Sequence, residues 1–202
     1  MQALEYPFDG EALLRKKRAL RRELAAQPGL VEKKVAIVSG TTVGEVKNML
    51  ELFLLNSGIR PAFWEGPYGL YYESIAFDDG SLAAFAPDVI YIHTSVHNLQ
   101  NLPCPADSAG AAEEKFAAEA ARWQGLWQAA ARFGCPVVQN NFELPDVRVL
   151  GSFDAVAAQG RVRFVRRMNA LAADWAAQHA NFYVHDLCWL SASEGLARWC
   201  SP

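Results

Sequence analysis

The sequence lacks long apolar runs, an excess of basic charge and paired-cysteine motifs, and each absence excludes a class of protein. No run of about 18 apolar residues occurs, so we expect no membrane-spanning helix. The net charge of -3 over 202 residues argues against a protein that binds nucleic acid through a basic face. The first residues do not follow the basic-then-apolar order of a secretory signal, which favours a cytoplasmic location.

Motifs for metals and common nucleotides are also missing. The four cysteines form no Cys-x-x-Cys pair and have no Cys/His zinc spacing, a pattern typical of reduced thiols in the cytosol. Neither a Gly-x-Gly-x-x-Gly fingerprint nor a Walker Gly-Lys loop is present, so nucleotide binding of those kinds is not expected. The sequence therefore predicts no metal site.

The chain does contain a repeated order of strand and helix. Hydrophobic residues make up 51% of it, enough for one well-buried core. Apolar and β-branched runs predict five strands, at 35–38, 60–64, 88–92, 137–138 and 181–186. Helical periodicity predicts helices between and after them, at 43–56, 81–86, 111–133, 161–180 and 191–199. The alternation predicts a three-layer α/β/α fold with a five-stranded parallel sheet.

A basic helix is predicted to precede this domain, at residues 8–27. Asp9 can cap its start, three leucines share one face, and six arginines and lysines cover the rest. We favour a solvated helix that docks through its leucines over a helix that binds nucleic acid or another anionic partner. The expected division is a helical appendage at 1–30 and an α/β domain at 31–202. Removing residues 1–27 should then lower stability without changing the chemistry of the site.

Polar side chains follow the fourth predicted strand almost without a break: Gln139, Asn140, Asn141 and Glu143. Asn and Gln each offer a donor and an acceptor, and ligands of open α/β sheets lie outside the carboxyl ends of the strands. We therefore predict that these side chains bind substrate. Alanine at Asn140 and Asn141 should weaken ligand binding and leave melting nearly unchanged.

The ends of the other strands supply further candidates. Ser39, Gly40, Thr41 and Thr42 follow the first strand and suit either a helix cap or a hydroxyl nucleophile with an anion cradle. His93, Ser95 and Asn98 follow the third strand; for a lone His, a structural hydrogen bond is favoured over a role as base. Asp186 suits equally a substrate contact and a helix cap. Trp123 and Trp127, four residues apart, are expected to pack in the core.

Several stretches together resemble the N-terminal domain of FkbH-like proteins, in the haloacid-dehalogenase-like IIIC group. They are 35–42 (Val-Ala-Ile-Val-Ser-Gly-Thr-Thr), 49–55, 87–95, 139–143, 190–192 and 195–196, with the opening Tyr-Pro-Phe-Asp at 6–9 and the basic 14–17. The resemblance covers nearly the whole chain. It implies an SGNH (GDSL-type) hydrolase fold, with a nucleophile after strand one and an Asp/His pair near the C-terminus.

The residues at these positions depart from the hydrolase pattern. Thr41 stands where the nucleophilic Ser would be. The Gly-x-Asn-Asp block would fall on 94–97, where Val96 replaces the Asn, although Asn98 is close. No Asp-x-x-His occurs, and His185 directly precedes Asp186, so their side chains point to opposite faces of a strand. The candidate catalytic residues are Thr41, His93 and Asp186.

The resemblance also implies a pathway role. FkbH-like proteins are associated with loading a glyceryl unit from a phosphorylated glycerate onto an acyl carrier protein, or with related steps of polyketide and surface-polysaccharide synthesis. That phosphate chemistry belongs to a downstream domain with an Asp-x-Asp motif and Mg. No such motif occurs in residues 1–202, so no cofactor is expected here. The sequence stops at residues 201–202, and we interpret this position as a cut between two domains or as a natural end of the chain.

Three functions remain open. The favoured one is a degenerate SGNH-like accessory domain that binds an acyl, glyceryl or sugar-linked substrate, or an acyl carrier protein, for a downstream catalytic domain. The second is an active esterase or acyltransferase with Thr41 as nucleophile, His93 or another His brought in by the fold as base, and Asn140 or Asn141 as oxyanion donor. The third is an interaction module that docks through the basic helix and the Trp pair.

Overall fold

The computed structural model describes residues 4–200, and the predictions that concern 1–3 and 201–202 lie outside the described residues. Five strands form one sheet in the order β2-β1-β3-β4-β5, and every neighbouring pair is parallel. Their bounds are β1 (Val31–Ser39), β2 (Ile59–Glu65), β3 (Val89–His93), β4 (Val137–Asn140) and β5 (Phe182–His185). This is the flavodoxin-like order, and the predicted α/β class and five-stranded parallel sheet are confirmed.

Helices connect and flank the strands. They are α1 (Gly10–Ala25), α2 (Gly44–Asn56), α3 (Tyr71–Ala76), α4 (Ser81–Phe85), α5 (Ala109–Ala131), α6 (Arg161–Gln178), α7 (Leu187–Glu194) and α8 (Leu196–Trp199). The predicted helix 191–199 is instead two short helices, because Gly195 adopts a left-handed φ of 87° that interrupts the turn. Within residues 4–200, no helix is both long and apolar enough to cross a bilayer.

The two faces of the sheet are covered differently. One face, with Ala36 and Ile90, packs against α3, α4, α5 and α6 to form the main core, in which the predicted Trp123 and Trp127 are buried. On the other face, Val35 and Ile37 pack against α2. All-parallel strands need a cover on both sides, and here only the first face is covered over its full width.

Helix α1 docks on α2, as its leucines predict. Asp9 caps α1 by accepting from the Ala12 N–H at 3.0 Å. The three leucines that face inward pack against α2; they are Leu13, Leu20 and Leu24. Lys17 and Arg21 pair with Glu45 and Glu51 of α2 at 2.5 and 3.2 Å, so part of the basic charge is used for docking.

Candidate functional site

The candidate site lies at the carboxyl edge of the sheet. Ser39 of β1 is in register with His93 of β3, and Asn140 of β4 with His185 of β5. Strand order reverses between β1 and β3, and this switch point is where ligands of doubly wound sheets bind. Parallel pairing thus brings all four groups of predicted site residues to one edge.

Asn98 joins the loops that follow β1 and β3. Its Nδ2 donates to the Gly40 carbonyl at 3.1 Å, and its Oδ1 accepts from the Ser95 N–H at 2.9 Å. The Gly40 N–H donates to the His93 carbonyl at 3.0 Å. A Cβ on Gly40 would lie 2.2 Å from Asn98 Nδ2, so this close approach requires glycine. Both functional groups of the Asn98 amide are therefore engaged in holding the junction.

The buried carboxylate of Glu119 holds the chain that follows Asn98. Glu119 accepts from the backbone N–H groups of Gln100 and Asn101, from Trp123 Nε1 and from Arg122. Arg122 also donates to the Asn98 carbonyl at 2.9 Å. Burial alone would raise the pKa of Glu119, but Arg122 and the Asn101 donors bring the pKa below its usual value. Its charge is thus fully matched, and the loop is fixed to α5.

The two threonines after β1 are less engaged. Thr41 is half-buried and Thr42 is exposed. The N-cap of α2 is Val43, with no side-chain cap, so the expectation of a threonine cap was wrong. Within the described part of the chain, the Thr41 hydroxyl has no hydrogen-bond partner and so no imidazole or carboxylate in contact with it.

Asn140, predicted to bind substrate, is fully enclosed. Its Oδ1 accepts from the Thr94 N–H at 2.8 Å, and its Nδ2 donates to the Thr94 and Asn141 carbonyls. Gln139, also buried, donates to Thr94 Oγ1 at 3.1 Å. These amides tie β4 to the loop after β3.

The remaining polar residues fasten α7 and the loop after β3. Asn141 donates to Asp186 Oδ1 at 2.8 Å and accepts from the Cys188 N–H at 2.8 Å. Asp186 caps α7 by accepting from the Trp189 N–H at 3.1 Å. Glu143 Oε1 accepts from the Val96 N–H at 3.2 Å. Asp186 and His93 do not meet.

His93 instead belongs to a cluster on the α2 face. The Tyr91 hydroxyl lies 2.8 Å from His93 Nδ1 and 3.5 Å from His185 Nδ1. Burial raises the pKa of Tyr91 to about 12. Burial, with a smaller effect of His185, lowers the pKa of His93. Near neutral pH both His93 and Tyr91 are therefore uncharged.

Tyr91 and His185 were not among the predicted site residues. The available signal was spacing: Tyr91 and His93 are two apart on one strand and so share a face. The contribution of His185 depends on β5 lying beside β4, which a single sequence does not reveal.

No group of three or more His, Cys, Asp or Glu side chains in residues 4–200 is arranged to hold a metal ion. The four cysteines, all within this range, form no disulfide; they are Cys104, Cys135, Cys188 and Cys200.

The family model described as "FkbH, N-terminal domain" matches residues 34–201. The chain belongs to this family. The match includes every predicted site residue, from Ser39 to Asp186, and so places the whole carboxyl edge inside the FkbH N-terminal domain. A comparison with curated proteins found no match.

A solved structure of another protein shares the fold of this FkbH N-terminal domain. It is described as the N-terminal part of the protein BF1531 from Bacteroides fragilis, containing a phosphatase domain complexed with Mg. The TM-score is 0.73 at 17% identity, and the match covers 89% of the present chain. The chain spans 47% of that structure's length, so the likeness concerns the fold of one part of it.

Proposed function

We propose that this FkbH N-terminal domain is an SGNH-like accessory domain that holds a substrate without hydrolysing it. In this proposal it presents an acyl or glyceryl group, free or attached to an acyl carrier protein, to a neighbouring catalytic domain in the cytoplasm. Membership of the FkbH family supports the biosynthetic setting. The position of the site at the β1/β3 switch point supports binding of a ligand.

One observation carries the proposal: within residues 4–200 the candidate nucleophile has no base beside it, and the Asn140 amide that could bind an oxyanion already bonds inside the protein. A hydroxyl nucleophile requires a base within hydrogen-bond reach, and within residues 4–200 the Thr41 hydroxyl contacts none. The amide of Asn98 is engaged with Gly40 and Ser95, and the amide of Asn140 with Thr94. Both N–H groups of Asn140 Nδ2 are used, so this amide is not free to stabilise an oxyanion, whereas Asn98 Nδ2 donates one of its two N–H groups to Gly40.

Asp186, another candidate catalytic residue, also forms hydrogen bonds within the protein. Asp186 accepts from Asn141 and from the first turn of α7, whereas its neighbour His185 lies beside Tyr91 on the α2 face of the sheet. Both contacts fall on Oδ1, and within residues 4–200 no imidazole lies within hydrogen-bond distance of either Asp186 oxygen, so Asp186 orients no base. We place the Mg-dependent phosphate chemistry of FkbH proteins in a neighbouring domain; the BF1531 structure, which contains a phosphatase domain, is about twice as long as the part that the present chain spans, 47%.

Covalent labelling with a fluorescent fluorophosphonate tests the proposal. We expect no labelling of the native chain above the level of a heat-denatured sample, and the same result for Thr41→Ala. We also expect no thiol release from acyl or glyceryl thioesters, although these bind. Labelling that disappears in Thr41→Ala would replace the accessory role by that of an active acyl-transfer enzyme.

A further inference from the structure

A large groove opens on the sheet beside α2. It has a volume of about 720 Å³ and is bounded by α2 on one side, with β1, β3, β4 and β5 as its floor. The floor and wall are almost entirely apolar; their apolar residues are Val35, Val46, Met49, Leu50, Leu54, Val89 and Val138. Sites for small molecules typically have volumes of about 300–1,000 Å³ and mostly apolar walls with a few polar groups.

The polar groups of the groove are concentrated toward the carboxyl edge of the strands. Tyr91 and His185 line the groove, and the Tyr91 hydroxyl contacts both His185 and His93. Glu45, at the α2 wall, is already paired with Lys17 of α1. The groove therefore has an apolar body and one hydrogen-bonding end.

The protonation states of Tyr91 and His93 determine whether this end of the groove suits a charged or a neutral polar group of a ligand. Because His93 and Tyr91 are neutral near pH 7, neither has a fixed charge with which to bind an ionised head. When the Tyr91 hydroxyl donates to His93 Nδ1, the proton of the neutral His93 imidazole is on Nε2. That N–H lies next to the end of the groove that Tyr91 and His185 line, and an uncharged carbonyl oxygen is the acceptor that suits these neutral groups.

We propose that the groove binds a straight acyl chain, with an ester or thioester carbonyl at the Tyr91, His93 and His185 cluster and the hydrocarbon along β1, β3, β4 and α2. This deepens the proposed function, on which it rests, by naming the substrate class as acyl rather than glyceryl. A glyceryl group would leave the apolar length of the groove unfilled.

A chain-length series tests the proposal by calorimetry. The ligands are N-acetylcysteamine thioesters from butanoyl to dodecanoyl. Each added methylene that leaves water should tighten binding by up to about fourfold, until the groove is full. Tyr91→Phe keeps the ring and removes the hydroxyl. It should weaken all the thioesters by one common factor, about two- to tenfold, and leave the dependence on chain length unchanged.

A bulky substitution tests the location. Val138→Trp fills the floor of the groove and should abolish the dependence on chain length. The matched control is Val147→Trp, in the exposed loop after β4, where the wild-type residue is 62% accessible; it should bind like the wild type. Val46→Trp narrows the groove from the α2 side and serves as a second variant if the strand variant does not fold.

Other outcomes contradict the proposal. A dissociation constant independent of chain length would exclude an acyl groove. So would a dimer in light scattering that Val138→Trp converts to monomer, because the groove would then be covered by a second copy. Thioester cleavage, measured as thiol release and lost in Thr41→Ala, would overturn the accessory function alone, since a chain-length dependence would still support the acyl groove.

Discussion

Side chains predicted to contact a ligand serve mainly to hold the loops of the carboxyl edge. Asn140 is 0% accessible, and its amide satisfies both the N–H and the carbonyl of Thr94. An alanine there would leave two buried backbone groups without partners. The structure thus implies a larger stability role for Asn140 than the sequence indicated.

We predict that Asn140→Ala lowers the free energy of unfolding by about 2–4 kcal/mol, the cost of two unsatisfied buried groups. The measurement is urea unfolding followed by circular dichroism. Asn48→Ala is the control, because that amide makes only an exposed 3.3 Å contact with Glu45; a change within about 0.5 kcal/mol is expected. Equal effects of the two substitutions would contradict the bridging role.

A pH dependence follows from His93. Burial holds the pKa of His93 in the folded state below its usual value of 6.5, so the unfolded chain takes up a proton more readily as the pH falls. The stability from keeping His93 neutral is complete above about pH 6.5 and is lost as the pH falls through the lower, folded-state pKa. We predict that His93→Gln flattens the decline of melting temperature below that pH.

His97→Gln is the control for this experiment, because His97 lies in the same loop with an exposed side chain. Its decline with acid should match that of the wild type. Parallel curves for wild type and His93→Gln would show that His93 titrates alike in the folded and unfolded chains.

The sequence located the polar groups at this scale but not their partners. Asn140 and Thr94 are 46 residues apart, and a hydrogen bond across such a separation follows from strand order and register. An Asn after a buried strand can equally face a ligand or a neighbouring loop. Asp186, by contrast, had its capping role among the predictions because a cap bonds within its own first turn.

At the scale of elements, α1 is attached through one face. Leu24 is 0% accessible and packs with Leu52 and Leu55 of α2, whereas Leu14 on the same helix is 51% accessible. The alternation of leucines and basic residues indicated this arrangement because helical periodicity is local. The cap of α2 was mispredicted. Threonine is a common capping residue, but Thr41 and Thr42 both come before Val43, which occupies the N-cap position.

We predict that Leu24→Ala destabilises the protein by about 2–5 kcal/mol because it leaves a cavity between α1 and α2. Leu14→Ala, the same change on the solvent side of the helix, should shift stability by no more than about 0.5 kcal/mol. Thermal and urea unfolding of the two variants measure the difference. Similar small effects would mean that α1 is not docked in solution.

At the scale of the molecule, the alternation of strands and helices was sufficient to predict the class and the parallel sheet. The order of the strands and the unequal cover of the two sheet faces were not predictable. Both depend on the face of the sheet along which each connection between strands runs. Tyr183, 54% accessible on the face that carries the groove, shows the result. An apolar residue pattern in β3 and β4 indicates burial on both sides, while only one side is packed over its full width.

Glu45 lies both at the contact between α1 and α2 and at the edge of the groove. The same carboxylate borders the groove and pairs with Lys17, one of the contacts that attach α1. An occupant of the groove would stand next to this ion pair and change its exposure to water and salt. We therefore expect the rate at which a protease cleaves within α1 to differ between the protein with a filled groove and the protein with an empty one.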